Sequence, residues 1–137
     1  MILMEKVDQS IHIKISSLEQ LNEVIGRLFA QLGELEIDQE KQQDIRLCLM
    51  EAVENALCHG CADCDQKEVS VSWMVTKKGF CFAVEDPGEG VPEAMRDPEW
   101  EPGLFEEHGR GILLMRTILD EVCFNEKGNR VTGRLNW

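Results

Sequence analysis

Residues 51–60 read Glu51-Ala52-Val53-Glu54-Asn55-Ala56-Leu57-Cys58-His59-Gly60. Just upstream, Asp38 is a helix-capping residue, and Ile45, Leu49, Ala52, Val53 and Ala56 recur at helical spacing. A helix is therefore predicted from Asp38 to about Cys58, closed by Gly60. Glu51 and Asn55 lie four apart on one face of it, beside the apolar stripe rather than opposite. A carboxylate and an amide so placed look into a pocket at the edge of the core. Their chemistry suits a magnesium nucleotide. Mg²⁺ prefers hard oxygen ligands, and an Asn carbonyl supplies one without adding charge. A nearby Glu can take a proton from a nucleophile. Taken alone, the pair reads as an ordinary solvated helix face.

Toward the N-terminus, Ile11, Ile13 and Ile15 alternate with His12 and Lys14, the period of a half-buried strand. Ser17 with Gln20 reads as a capping box opening a helix. Leu18, Leu21, Ile25, Leu28 and Leu32 form its apolar stripe, and Gly33 ends it. Toward the C-terminus, Val69, Val71, Trp73 and Val75 alternate, Lys77-Lys78-Gly79 turns, and Phe80, Phe82 and Val84 alternate again, which reads as a hairpin. Residues 91–108 contain Pro92, Pro98 and Pro102, which forbid a long helix or a central strand there. Loops of that length are usually functional lids or disordered. An amphipathic helix with Ile112, Met115, Ile118 and Leu119 follows, then a last strand from Asn129 to Leu135. The order is β-α-α-β-β-lid-α-β. It predicts an α+β fold, a two-layer sandwich whose mostly antiparallel, mixed sheet carries its helices on one face. One domain fills residues 1–137.

Composition limits what that domain can do. A chain of 137 residues with 43% hydrophobic content can bury a core. No apolar run approaches the roughly 20 residues of a membrane span, and Met1 to Val7 lacks a signal-peptide pattern. No membrane association and a cytoplasmic location are the expectations. The net charge of −12 opposes direct nucleic-acid binding and suits a basic protein partner. Because a nucleotide is also an anion, binding one requires a concentrated phosphate-holding device.

Two glycine loops are candidates for it. Asp86-Pro87-Gly88-Glu89-Gly90 follows a strand directly, and its glycines permit close backbone approach to a ligand. Asp86, half buried at the strand end, can accept a hydrogen bond from the exocyclic amine of adenine. Asp-Pro-Gly is also good turn chemistry. Gly109-Arg110-Gly111 opens a helix, where free N–H groups and the dipole favour phosphate and Arg110 adds a bidentate cation. It is equally a plain helix start. Neither loop is a Walker or Rossmann motif.

In this order the three signals are far more specific than any one of them, and together they resemble the GHKL superfamily of ATPases and kinases. Glu51-Ala52-Val53-Glu54-Asn55-Ala56 is similar to its N-box, and Val84 to Gly90 to its first glycine box. His108 to Met115, with Asp120-Glu121-Val122, is similar to its second, in the form found in bacterial anti-sigma-factor serine/threonine kinases. The resemblance runs from the first strand to the last and implies a Bergerat fold binding ATP and Mg²⁺. It implies that Asn55 holds Mg²⁺, Glu51 is the general base and Asp86 reads adenine. Gly88 and Gly90 would shape the pocket, Gly109, Arg110 and Gly111 would cradle the phosphates, and residues 91–108 would form the lid. The implied partner is a STAS-fold anti-anti-sigma protein, phosphorylated on serine, with a sigma factor as the further target of a partner-switching system. A homodimer is compatible with this reading.

Two stretches depart from the pattern. Family members often carry Gly-Thr before the last strand, with the Thr near adenine; here Gly128-Asn129 stands in its place, and Asn129 can also hydrogen-bond. Cys58-His59-Gly60-Cys61-Ala62-Asp63-Cys64 offers thiols at a spacing of three, but adjacent Cys58 and His59 strain a shared tetrahedral site. Free thiols are the favoured reading, with metal binding or redox sensing the alternative. Among functions, protein phosphorylation leads. A nucleotide-binding module that sequesters a partner without phosphotransfer is the alternative. A sensor-kinase catalytic domain and a hydrolytic machine rank below both.

Overall fold

The computed structural model describes residues 9–60, 68–100 and 110–137. The chain begins with strand β1 (Gln9–Ile15) and enters helix α1 (Leu18–Glu34). Ser17 caps that helix by accepting the Gln20 N–H, and Gln20 reaches back with its Oε1 to the Ser16 N–H at 2.6 Å. The reciprocal bond of the box thus lands one residue earlier than the sequence suggests. Gly33 does not end the helix either. The chain leaves the helical conformation at Leu35, and Glu36 takes the left-handed position with φ 59°. A side chain there costs roughly 1–2 kcal/mol that a glycine would avoid.

Helix α2 (Gln39–Asn55) starts at Asp38, whose carboxylate accepts the Lys41 N–H at 2.9 Å. Its buried positions, Ile45, Cys48, Leu49, Ala52 and Val53, follow the expected spacing. Immediately after Asn55 the helix widens into a π-helical turn, Ala56–Gly60. Such widenings recur beside functional sites, because they re-aim the residues around them.

The sheet contains β2 (Val69–Val75), β3 (Gly79–Glu85), β4 (Glu121–Phe124) and β5 (Arg130–Asn136) besides β1. Their spatial order is β1-β2-β3-β5-β4, and every neighbouring pair is antiparallel. The sheet is therefore not mixed. Strand β4 was not expected as a strand: it is four residues long and half exposed, too short to show a period. Trp73 pairs with both Ile11 and Phe82, which fixes the register across the first three strands. Helix α3 (Arg110–Ile118) sits between residue 109 and β4.

Val71, Trp73, Phe80, Phe82 and Leu135 point to one side, where they join Leu21, Leu28, Ile45, Leu49, Ile112 and Met115 in a single apolar cluster. All three α-helices thus lie on one face of the sheet, as expected of an α+β two-layer sandwich. Each fully buried Leu or Ile adds roughly 1.5–3 kcal/mol to that packing. Ser72, Met74, Cys81, Thr132 and Arg134 line the opposite side, which carries partly exposed residues.

Candidate functional site

Helices α2 and α3 pack against each other where the glycine of the second loop meets the Glu–Asn face. A Cβ at Gly111 would stand 2.6 Å from Glu51 Oε2 and 3.2 Å from Asn55 Nδ2. The absence of a side chain at this position brings the first turn of α3 onto the two polar residues. Burial and the neighbouring Glu54 both raise the Glu51 pKa above its ordinary value. Arg110 begins α3 with its side chain exposed, and Gly109 lies outside the described residues.

Asn55 borders a cleft of about 320 Å³. The cleft is mostly apolar: Ala52 of α2 and Ala56 of the π-helical turn keep one wall thin, and Ile112 and Met115 form the α3 wall. Val84 and Val131 contribute the sheet wall. Its polar groups are few, namely Asn55, Asp86 and Asn129 besides backbone. That is the profile of a small-molecule site, apolar with a few placed polar groups.

Asp86 stands one residue beyond β3. Its Oδ1 accepts the Gly88 N–H at 2.7 Å, a turn that fixes the carboxylate. Burial raises its pKa most, and Glu85 raises it further, while the Gly88 bond and Lys127 lower it. Gly90 has φ +91°, and a Cβ there would run into the Lys127 carbonyl oxygen and lie 2.6 Å from the Gly128 carbonyl carbon. Only glycine lets the loop after β3 seat on the β4–β5 turn.

Asn129 is committed to that seating. Its Nδ2 donates to the Asp86 carbonyl at 2.8 Å, and its Oδ1 accepts from Asn125 Nδ2 at 2.8 Å. The Asp86 N–H in turn donates to the Asn129 carbonyl at 2.9 Å. Asn129 therefore holds Asp86 by its backbone while bordering the cleft itself. Asn125 closes the turn by accepting from the Gly128 and Arg130 N–H groups.

The structure thus brings Asn55 to one end of the cleft and Asp86, Gly90 and Asn129 to the other; Glu51 and Gly111 stand beside Asn55, and Gly88 is bonded to Asp86. Of residues 91–108, the described part is Val91–Trp100, which includes a 3₁₀ turn at Glu93–Arg96. The rest lies outside the described residues, with His108 and Phe105. Sequence reasoning missed Arg96, Arg116 and Asn125. Their only sequence signal is weak: Arg96 is a cation in an acidic, proline-rich stretch, and Asn125 opens a turn-forming Asn-Glu-Lys-Gly run.

Cys58 is an exposed free thiol, and Cys61 and Cys64 lie outside the described residues. Among the described residues no group of three or more His, Cys, Asp or Glu side chains is placed to hold a metal, and no helix is long and apolar enough to cross a membrane.

The histidine kinase-like ATPase domain family matches residues 15–135. An anti-sigma F factor of Geobacillus kaustophilus is 29% identical over 127 residues, covering 88% of this chain and 86% of its own. One from a type A strain of Clostridium perfringens is 32% identical over 106 residues, 74% of each chain. One from Clostridium novyi is 29% identical over 94 residues, 66% of each. The family match spans both glycine loops and the helix that carries Glu51 and Asn55, and the chain belongs to the histidine kinase-like ATPase domains of the GHKL superfamily, near the anti-sigma-factor kinases.

Proposed function

We propose that this protein is an ATP- and Mg²⁺-dependent serine/threonine kinase of the anti-sigma-factor type. Its substrate would be a STAS-fold antagonist protein, and a sigma factor its further partner. The observation that carries this reading is the contact of Gly111 with Glu51 and Asn55 at the end of the cleft that Asp86 borders.

The donor set fits the nucleotide. The cleft is apolar enough for a purine face, and Asp86 is fixed with one carboxylate oxygen engaged by Gly88 and the other available to an exocyclic amine. The start of α3 offers backbone N–H groups to phosphate. Asn55 and Glu51 provide oxygen donors beside it, the ligand type Mg²⁺ takes. When bound, Mg²⁺ would neutralise phosphate charge. Asn55 would hold it, and Gly109, Arg110 and Gly111 would cradle the phosphates. Glu51 would accept the proton of the substrate hydroxyl as that oxygen bonds to the γ-phosphorus and the bond to the β–γ bridging oxygen breaks, releasing ADP. Burial and Glu54 raise the proton affinity of the Glu51 carboxylate, which makes it a better base.

The relatives are named for an action on a sigma factor, and the net charge of −12 suits a partner with a basic face. A cytoplasmic setting follows from the same reading. The test is capture of partner proteins with the ATP-loaded chain, then mass spectrometry of the captured protein for phosphoserine. Phosphate on a bound STAS-fold partner, lost with Glu51→Ala, supports the kinase. A partner that binds normally and never gains phosphate overturns it and leaves sequestration without transfer.

A further inference from the structure

Val91 and Pro92, together with Met95 of the 3₁₀ turn Glu93–Arg96 that follows them, form the front wall of the cleft. Among the described residues, no regular sheet or helix pairing holds that wall. Arg96 does. Its guanidinium makes four hydrogen bonds to three backbone carbonyl oxygens. Nε and one terminal nitrogen donate to Val91, at 3.2 and 3.0 Å. That same terminal nitrogen donates to Lys127 at 2.8 Å, and the other donates to Glu126. A planar fork of donors on a rigid group suits such a set of carbonyls better than an ammonium does.

The opposite side of the clamp is shaped to receive it. Gly128 has φ +81°, and a Cβ there would collide with the Arg96 guanidinium, reaching 2.7 Å from its central carbon. The Val91 N–H also donates to the Gly128 carbonyl at 2.9 Å. From the third direction, Arg116 on α3 donates to the carbonyls of Met95 and Arg96 at 3.2 and 3.1 Å. The front wall is therefore tied at once to the β4–β5 turn, which also holds Asp86 through Asn129, and to the helix whose first turn carries Gly111.

We infer that Arg96 is a positioning residue for the base-binding half of the cleft: it holds Val91–Met95 against the β4–β5 turn, so that wall and Asp86 close on the same purine. This rests on the ATP-site reading above. Because Arg96 acts on the wall and not on the phosphate loop, its loss weakens all adenine nucleotides by a common factor.

The test measures dissociation constants of ATP and ADP, with Mg²⁺, for the wild-type chain and for Arg96→Ala, Arg96→Lys and Gly128→Ala. Thermal unfolding is measured alongside, below which all binding is read. The expected result is at least a tenfold rise in both constants for Arg96→Ala, with their ratio unchanged within twofold. Arg96→Lys, which cannot fork, recovers only part of the loss. Gly128→Ala keeps the arginine but displaces it, and reproduces the weakening. In a phosphotransfer assay, KM for ATP rises for all three variants far more than kcat falls. Variants that melt lower but bind both nucleotides as tightly as the wild type overturn the inference, as does a loss confined to ATP. A wild-type chain that binds neither nucleotide overturns the site reading and the inference with it.

Discussion

Gly111 and Glu51 are in contact across the α2–α3 boundary: a Cβ at Gly111 would stand 2.6 Å from Glu51 Oε2. Both groups that such a Cβ would crowd, the Glu51 carboxylate and the Asn55 amide, are ends of flexible side chains. They can swing away at little cost in stability. Gly111→Ala is therefore expected to fold, with a stability change on the order of 1 kcal/mol or less, and to lose phosphoryl transfer by tenfold or more. Thermal unfolding and a transfer assay on one preparation check this. Retained activity would remove the Gly111 contact from the argument for function.

Glu51→Gln separates binding from chemistry. The amide cannot take a proton, so transfer should fall by at least a hundredfold while ATP affinity stays within a few-fold. The Glu51 pKa is raised in the folded chain by burial and by Glu54. Between its unfolded and folded values the native state holds the extra proton, so stability falls as pH rises through the folded value. Above that value ionised Glu51 is a destabilising group. Glu51→Gln should thus be at least as stable as the wild type at pH 7, though inactive. The rate of the wild type should decline as pH drops toward a value above the ordinary Glu range. A pH series of denaturant melts and of initial rates tests both signs.

How far the sequence reveals the site differs between its two halves. Glu51 and Asn55 are legible because a helix imposes a fixed 100° step, so spacing alone places them on one face beside Ala52 and Ala56. Asp86, Gly88 and Gly90 are legible as a loop because they follow an alternating strand. What spacing cannot convey is which distant segment a loop leans on. That Gly90 seats on Lys127 and Gly128, or that Asn129 bonds the Asp86 carbonyl, depends on β4 pairing with β5. Strand β4 is too short and too exposed to announce itself. The clamp of Arg96 on carbonyls 30 residues away is invisible for the same reason, since backbone acceptors carry no sequence signal. The end of α1 shows a smaller version: Gly33 looks like the stop, yet tertiary packing leaves the left-handed turn to Glu36.

Asn129 stands where the family resemblance implies a threonine, and in the structure it ties the loop after β3 to the β4–β5 turn. Its amide donates to the Asp86 carbonyl and accepts from Asn125 in one part-buried relay. Asn129→Ala removes both bonds and leaves the Asp86 carbonyl one donor short. The expected cost is about 1–3 kcal/mol, read as a lower midpoint in urea. Asn129→Asp should be worse, because it replaces the donor with a second carboxylate beside Asp86. Asn125→Ala should reproduce part of the loss, and the double variant Asn125→Ala/Asn129→Ala should cost less than the sum of the singles. Additive effects would show that the two amides do not act as one relay.

The cysteines sort by burial, and alkylation should read that order. Cys48 is fully buried on α2, and burial first, then Asp44 and Glu51, pushes its pKa up to about 12. Thiolate, not thiol, is the nucleophile, so Cys48 is doubly protected, by access and by proton affinity. Cys58, Cys81 and Cys123 are exposed free thiols. Cys123 is slowed, since desolvation first and then Glu121 raise its pKa, with Arg134 opposing. At pH 8, brief iodoacetamide treatment of the native protein should modify Cys81 readily, Cys123 more slowly and Cys48 not at all, as resolved by peptide mass spectrometry. In urea Cys48 should react like the others, because unfolding removes both the packing and the carboxylates that hold its proton. Native labelling of Cys48 at the rate of Cys81 would mean that α2 opens locally at Ile45–Leu49. The helix that carries Glu51 and Asn55 would then lack the rigidity that the proposed catalysis requires of it.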